Sequence, residues 1–102
     1  MSAVLFTVHG KVQGVGYRQF VLSCAIKSGI KGMVRNMPSG SVEILAIGES
    51  EQLEKFSKEI EVDTENGPQV MKVEKKVLDS NERILGKTIS AYSTFTVEKS
   101  GI

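Results

Sequence analysis

The chain of 102 residues holds one cysteine, one histidine and no tryptophan, and each scarcity removes a class of function. A lone Cys24 cannot close an internal disulfide, so a reducing compartment is expected. One His and one Cys cannot furnish the nitrogen and sulfur shell of a zinc site, and no clustered acidic pattern asks for magnesium, so the expectation is no metal and no cofactor. The chain also lacks a dominant charge: 13 basic residues against 12 acidic ones leave a formal net charge of +1. That balance supplies no general pull toward nucleic acid or a membrane surface, and any attraction for an anion must be local. Neither a charged start followed by an apolar run nor a stretch of membrane-spanning length is visible, which makes a cytoplasmic protein with no membrane partner the expectation. Repeats, low-complexity tracts and Pro/Gly/Ser-rich linkers are missing too. With 40% hydrophobic and 25% charged residues, the chain can bury one modest core, and a single domain over residues 1–102, acting as a monomer, is expected.

What is present is concentrated in Val12-Gln13-Gly14-Val15-Gly16-Tyr17-Arg18. This run lies where a strand-like segment ends and a helix-like segment begins. Glycines at 14 and 16 let the backbone turn tightly and approach a ligand, while the first-turn amides of the following helix have no partners of their own. An anion satisfies those donors. The helix dipole adds about half a positive charge at the same place, and Arg18 adds a whole one in a planar fork that suits two phosphoryl oxygens. The amides of Gln13, Gly14, Val15, Gly16, Tyr17 and Arg18 are therefore candidate phosphate binders. Taken alone, the run also fits an ordinary strand-to-helix connection. Neither nucleotide signature matches: no Lys-Ser or Lys-Thr follows a second spaced glycine, and the dinucleotide fingerprint would need glycine where Gln19 stands.

Residues 3–9 are rich in strand formers and end at Gly10. From Tyr17 to Ser28, polar Gln19, Ser23 and Lys27 recur every four residues, with Phe20, Val21, Cys24 and Ala25 on the other side, which predicts an amphipathic helix stopped by Gly29. Residues 30–36 and 41–47 read as strands of a hairpin turned by Met37-Pro38-Ser39-Gly40. Ser50 is placed as N-cap of a second helix to about Ile60, with Leu53, Phe56 and Ile60 on one face and Glu51/Lys55 and Glu54/Lys58 as ion pairs. After Gly67-Pro68 comes a strand near 70–78, in which Met71, Val73 and Val77 share a parity. Residues 79–91 show no consistent period, and a last strand is expected near 92–98. The order is βαββαβ, an α+β sandwich: an antiparallel sheet with two helices packed on one face.

Asn36 ends the second strand immediately before the hairpin turn. A carboxamide there can be purely structural, yet it can also both accept from and donate to a water. The run Gly10 to Arg18, followed by Gly32-Met33-Val34-Arg35-Asn36 and Gly40-Ser41-Val42-Glu43, resembles the acylphosphatase family, and the likeness extends through Gly48, the second helix and Gly67-Pro68. It implies a ferredoxin-like fold and hydrolysis of the carboxyl-phosphate bond of small acyl phosphates without a metal or a phosphoenzyme. It implies that Arg18 and the loop amides hold the phosphate and that Asn36 positions the attacking water. Tyr17 stands where that family usually has Phe, and its hydroxyl is expected at the surface or on a partner. Segment 61–91 looks longer than the family's compact pattern. His9, with no partner acid visible, and Cys24, on the packed face, are taken as structural. Two alternatives stay open. An RNA-binding ferredoxin-like module would need sheet aromatics that are missing here. A carbamoyl-phosphate-handling module would share the loop.

Overall fold

The computed structural model describes residues 1–99, so the last three positions of the expected 1–102 domain lie outside the described residues. Its backbone runs β1 (Ser2–Lys11), α1 (Tyr17–Ser28), β2 (Lys31–Asn36), β3 (Val42–Gly48), α2 (Ser50–Glu59), β4 (Gln69–Leu78), β5 (Arg83–Ile84), β6 (Lys87–Thr88), a 3-10 turn (Ile89–Ala91) and β7 (Phe95–Val97). Five strands form one sheet in the order β4-β1-β3-β2-β7. The expected antiparallel pairing holds for β1 with β3 and β4, and for β2 with β3. β7 instead runs parallel to β2, with Gly32 opposite Phe95, which makes the sheet mixed. The last strand leaves β4 and crosses the sheet to its far edge, arriving in the same direction as β2. It is also shorter than the expected span 92–98.

Strand alternation sorts the apolar residues onto two faces. Phe6 and Val8 of β1, Val34 of β2 and Ile44 of β3 face the helices and pack with Val21, Cys24 and Ala25 of α1 and Leu53 and Phe56 of α2. Phe56 is the hub, edge-on to Phe6 at 6.1 Å and to Phe95 at 6.3 Å between ring centroids. It is fully buried, so truncation to Ala should cost about 3–5 kcal/mol. Of the residues expected on the inner side of α1, Val21, Cys24 and Ala25 are buried there, joined by Tyr17, whereas Phe20 is only partly buried at its edge.

Three local expectations are corrected. Glu49, not Ser50, is the N-cap of α2, and its backbone N–H donates to Gln52 Oε1 at 2.8 Å; Ser50 already has helical geometry. Of the two forecast ion pairs on α2, Glu54–Lys58 forms at 3.5 Å, and no Glu51–Lys55 bridge is found among the described residues. In β4 the shared parity breaks at a bulge: the register shifts between His9 and Gly10, so Val70 opposes Gly10 and Met71 is the extra residue. Met71 is consequently 83% exposed while Val70 and Val73 pack on the core. Val77 keeps its face, but on an edge strand it stays exposed.

Residues 79–91, which show no readable period in the sequence, form with Tyr92 a flap that covers part of the sheet's other face. β5 and β6 make a two-residue hairpin at Leu85-Gly86, and Ile89 and Tyr92 bury Ala3, Met33, Leu45, Ile47 and Leu78. Tyr92 anchors the segment by donating its hydroxyl to the Ile84 carbonyl at 2.8 Å. The sheet is thus sandwiched between helices on one side and an irregular flap on the other.

Candidate active site

β1 ends at Lys11 and α1 begins at Tyr17, so residues 12–16 must reverse the chain in one short loop. Gly14 and Gly16 do this with φ of 74° and 77°. A Cβ at either would meet nothing within 4 Å, so what demands glycine is the left-handed backbone, which costs an ordinary L-residue roughly 1–2 kcal/mol. Gly16 is the N-cap of α1 and has no side chain to occupy the helix end, and the first turn carries no acidic residue. Among the described residues, the N–H groups of Gly14 to Gln19 have no backbone acceptor. They are the donors that an anion would complete.

Arg18 and Asn36 meet over this loop. Both line a cleft of about 140 Å³ with Gly14, Gly16, Tyr17, Gln19, Val12 and Val97. That space equals roughly five water volumes, room for a phosphoryl group and a water. Nη1 of Arg18 donates to the Glu98 carbonyl at 3.1 Å, which pins the guanidinium beside the end of β7 and leaves its other N–H groups for a ligand. Asn36 faces the helices, on the same side of β2 as Val34. Its Oδ1 is buried and without a hydrogen-bond partner among the described residues. An orphaned buried carbonyl oxygen is costly, about 1–3 kcal/mol, unless a water or ligand completes it.

The loop is braced from two sides. Nε2 of Gln13 donates to the carbonyls of Met37 and Ser41, each at 2.8 Å, and so ties the loop to both ends of the hairpin turn that follows Asn36. Met37 N–H returns to the Ser41 carbonyl at 2.9 Å and closes that turn. The Tyr17 hydroxyl donates to the Ile60 carbonyl at 2.8 Å, anchoring the first residue of α1 to the C-terminus of α2. Burial pushes its ionisation far above the ordinary tyrosine range, with smaller contributions from Cys24 and Glu61.

Of the residues foreseen in the sequence, Gly14, Gly16, Tyr17, Arg18 and Asn36 surround the cleft. Gln13 turns its side chain into the hairpin, and Val15 packs toward the core. The latch formed by Gln13, the wall made by Val97 and the Glu98 carbonyl that holds Arg18 went unforeseen. No residue spacing announces a contact between positions 18 and 98. His9 does have an acid beside it, Glu74 at 2.6 Å, on the exposed sheet face opposite the helices. Cys24 is buried in the core, and desolvation, aided by Glu59, raises its thiol's pKa and keeps it protonated. No three His, Cys, Asp or Glu side chains gather as metal ligands among the described residues.

The family model for acylphosphatase matches residues 4–89, from β1 into the flap. The chain belongs to the acylphosphatase family. Along nearly its whole length it resembles the acylphosphatase of Methanospirillum hungatei: 36% identity over 99 residues, covering 97% of this chain and 99% of that one. A shorter stretch is 52% identical to the acylphosphatase of Actinobacillus pleuropneumoniae over 56 residues, 55% of this chain and 62% of the relative. The crystal structure of acylphosphatase from Bacillus subtilis superimposes with a TM-score of 0.77 at 30% identity, covering 96% of this chain and 99% of that one. As an acylphosphatase family member, the chain is a hydrolase with the ferredoxin-like α+β fold. No helix among the described residues is long and apolar enough to cross a membrane.

Proposed function

We propose that the cleft between the 12–18 loop and Asn36 is the centre at which this acylphosphatase hydrolyses acyl phosphates to a carboxylate and inorganic phosphate, as a cytoplasmic monomer needing no metal. The amides of Gln13 to Arg18 and the Arg18 guanidinium bind the phosphoryl oxygens, and Asn36 orients the attacking water. The observation that carries the reading is the convergence, in one cleft, of a run of unpartnered N–H donors, a fixed guanidinium and a buried carbonyl oxygen with no partner.

The chemistry suits so spare a site. The departing carboxylate has a conjugate acid of pKa roughly 4, so it leaves without a general acid. What remains is to hold the phosphoryl group, neutralise charge spread over its equatorial oxygens and aim one water in line. Asn36 Oδ1 accepts a hydrogen bond from that water and fixes its lone pair toward phosphorus. A carboxamide is too weak a base to keep the proton, which passes to a phosphate oxygen or to solvent.

The test is hydrolysis of benzoyl phosphate in EDTA. Wild type should retain full activity, and Asn36→Ala should lose about 10²-fold or more in kcat while competitive inhibition by inorganic phosphate stays near wild type. Activity abolished by EDTA, or an Asn36→Ala enzyme with undiminished kcat, would overturn the assignment.

A further inference from the structure

A larger cavity, about 270 Å³, lies on the other side of the sheet from the phosphate cradle, beneath the flap of residues 79–92. Its floor is apolar and buried: Ala3, Ile47, Leu78, Ile89 and Tyr92. The Tyr92 hydroxyl is already committed to the Ile84 carbonyl, so the ring faces the cavity as apolar surface. The rim is polar and positively biased. It carries the hydroxyls of Ser80 and Ser90 and the ammonium groups of Lys31 and Met1, and no Asp or Glu lines the cavity. The Met1 ammonium lies 3.7 Å from Glu49, whereas Lys31 has no carboxylate at ion-pair distance among the described residues.

An apolar floor with a cation at the mouth selects for a ligand with an apolar body and an anionic head. At the packing density of protein interiors, about three-quarters filled, the cavity holds a body of roughly 200 Å³. That is the size of a small aromatic or short-chain aliphatic acid, and too small for a lipid or a nucleotide. We infer that this cavity is a second binding site, for small monocarboxylates with a compact apolar body, separate from the phosphate cradle. The carboxylate pairs with Lys31 and accepts from the serine hydroxyls, and the apolar body rests on Ile47, Leu78 and Ile89. Facing the opposite side of the sheet from Asn36, the site can fill while the cradle is occupied.

The probe is benzoate, titrated into the intact protein and followed by amide and methyl NMR shifts. Saturable shifts should appear at Ile47, Leu78 and Ile89 and not at Gly14, Gly16 or Arg18. Lys31→Gln, a half-exposed substitution that leaves the core untouched, should weaken binding about fivefold, the upper range for a partly exposed ion pair. Benzamide, with the same body and no charge, should bind wild type correspondingly more weakly. Ser90→Phe, at an exposed rim position, should block the mouth and abolish the shifts while the amide spectrum stays dispersed. Shifts confined to the cradle, equal affinity for benzoate and benzamide, or no saturable shifts up to the solubility of benzoate would each overturn the inference. If Ser90→Phe fails to fold, Lys31→Gln and benzamide decide the matter alone.

Discussion

Replacing Tyr17 by Phe removes one oxygen, and the structure specifies two separable consequences. At neutral pH the Ile60 carbonyl loses its donor, inside a region where Tyr17 is 1% exposed. Losing one such bond and leaving its acceptor unpaired costs about 1–2 kcal/mol, a fall in melting temperature of roughly 4–8 °C per kcal/mol for a domain of this size. The second consequence appears only in alkali. Burial raises the folded-state pKa of Tyr17 above the value near 10 that the unfolded chain has. Above pH 10 the unfolded state therefore sheds a proton that the folded state keeps. The folded protein binds more protons, so stability falls as pH rises, and it is fully present only below about pH 10. The slope approaches 1.4 kcal/mol per pH unit, which amounts to about 1.4 kcal/mol lost by pH 11. Tyr17→Phe has no such proton to lose. Urea unfolding of both proteins at pH 7 and pH 11 should show the variant weaker at pH 7 and nearly equal to wild type at pH 11, since other titrating groups are common to both. A stability gap of constant size across that range would refute the claim that the hydroxyl is buried and held neutral. Benzoyl phosphate hydrolysis by the variant at neutral pH should stay close to wild type, because the hydroxyl points to α2 and not into the cleft.

Arg18→Gln should raise the inhibition constant for inorganic phosphate about 10²-fold, as expected for losing charge-assisted hydrogen bonds worth 1.5–3 kcal/mol or so; Arg18→Lys should recover little, because an ammonium cannot both reach the Glu98 carbonyl and present a planar fork. Gln13→Ala unlatches the loop from Met37 and Ser41 and should cost about 1–2 kcal/mol in urea unfolding, with kcat falling more than phosphate affinity, since the freed hairpin carries Asn36. Leu85 sits at φ 53° in the tight hairpin and is 43% exposed, so Leu85→Asn should stabilise the protein by about 0.5–1 kcal/mol, read as a higher melting temperature.

Legibility of the fold tracked how local the cause was. The helix over 17–28 was forecast correctly because a four-residue polar spacing and a terminal glycine act within the segment itself. The N-cap of α2 was misplaced by one residue because serine is the better intrinsic cap, yet Glu49 has Gln52 three positions on to accept its N–H. Parity in β4 failed at Met71, where the bulge opposite Gly10 inserts an extra residue, and nothing within β4 alone signals that. The flap lacked a period because its order depends on being laid over Ala3, Leu45 and Ile47, residues far away in the chain.

The amino-acid order alone determined the glycine loop, since left-handed glycines followed by a helix start are a short-range property of Gly14 to Arg18, and it determined the polar residue that ends β2. Only the tertiary structure decided that these parts line one cleft. Long-range pairing of β1 with β3 carries the β2–β3 hairpin, and Asn36 with it, to the mouth of the loop, Gln13 clamps the two together, and the parallel β7 brings the Glu98 carbonyl against Arg18. Those contacts join residues tens of positions apart, and no local preference encodes them; they follow from burying a common core on the shared sheet.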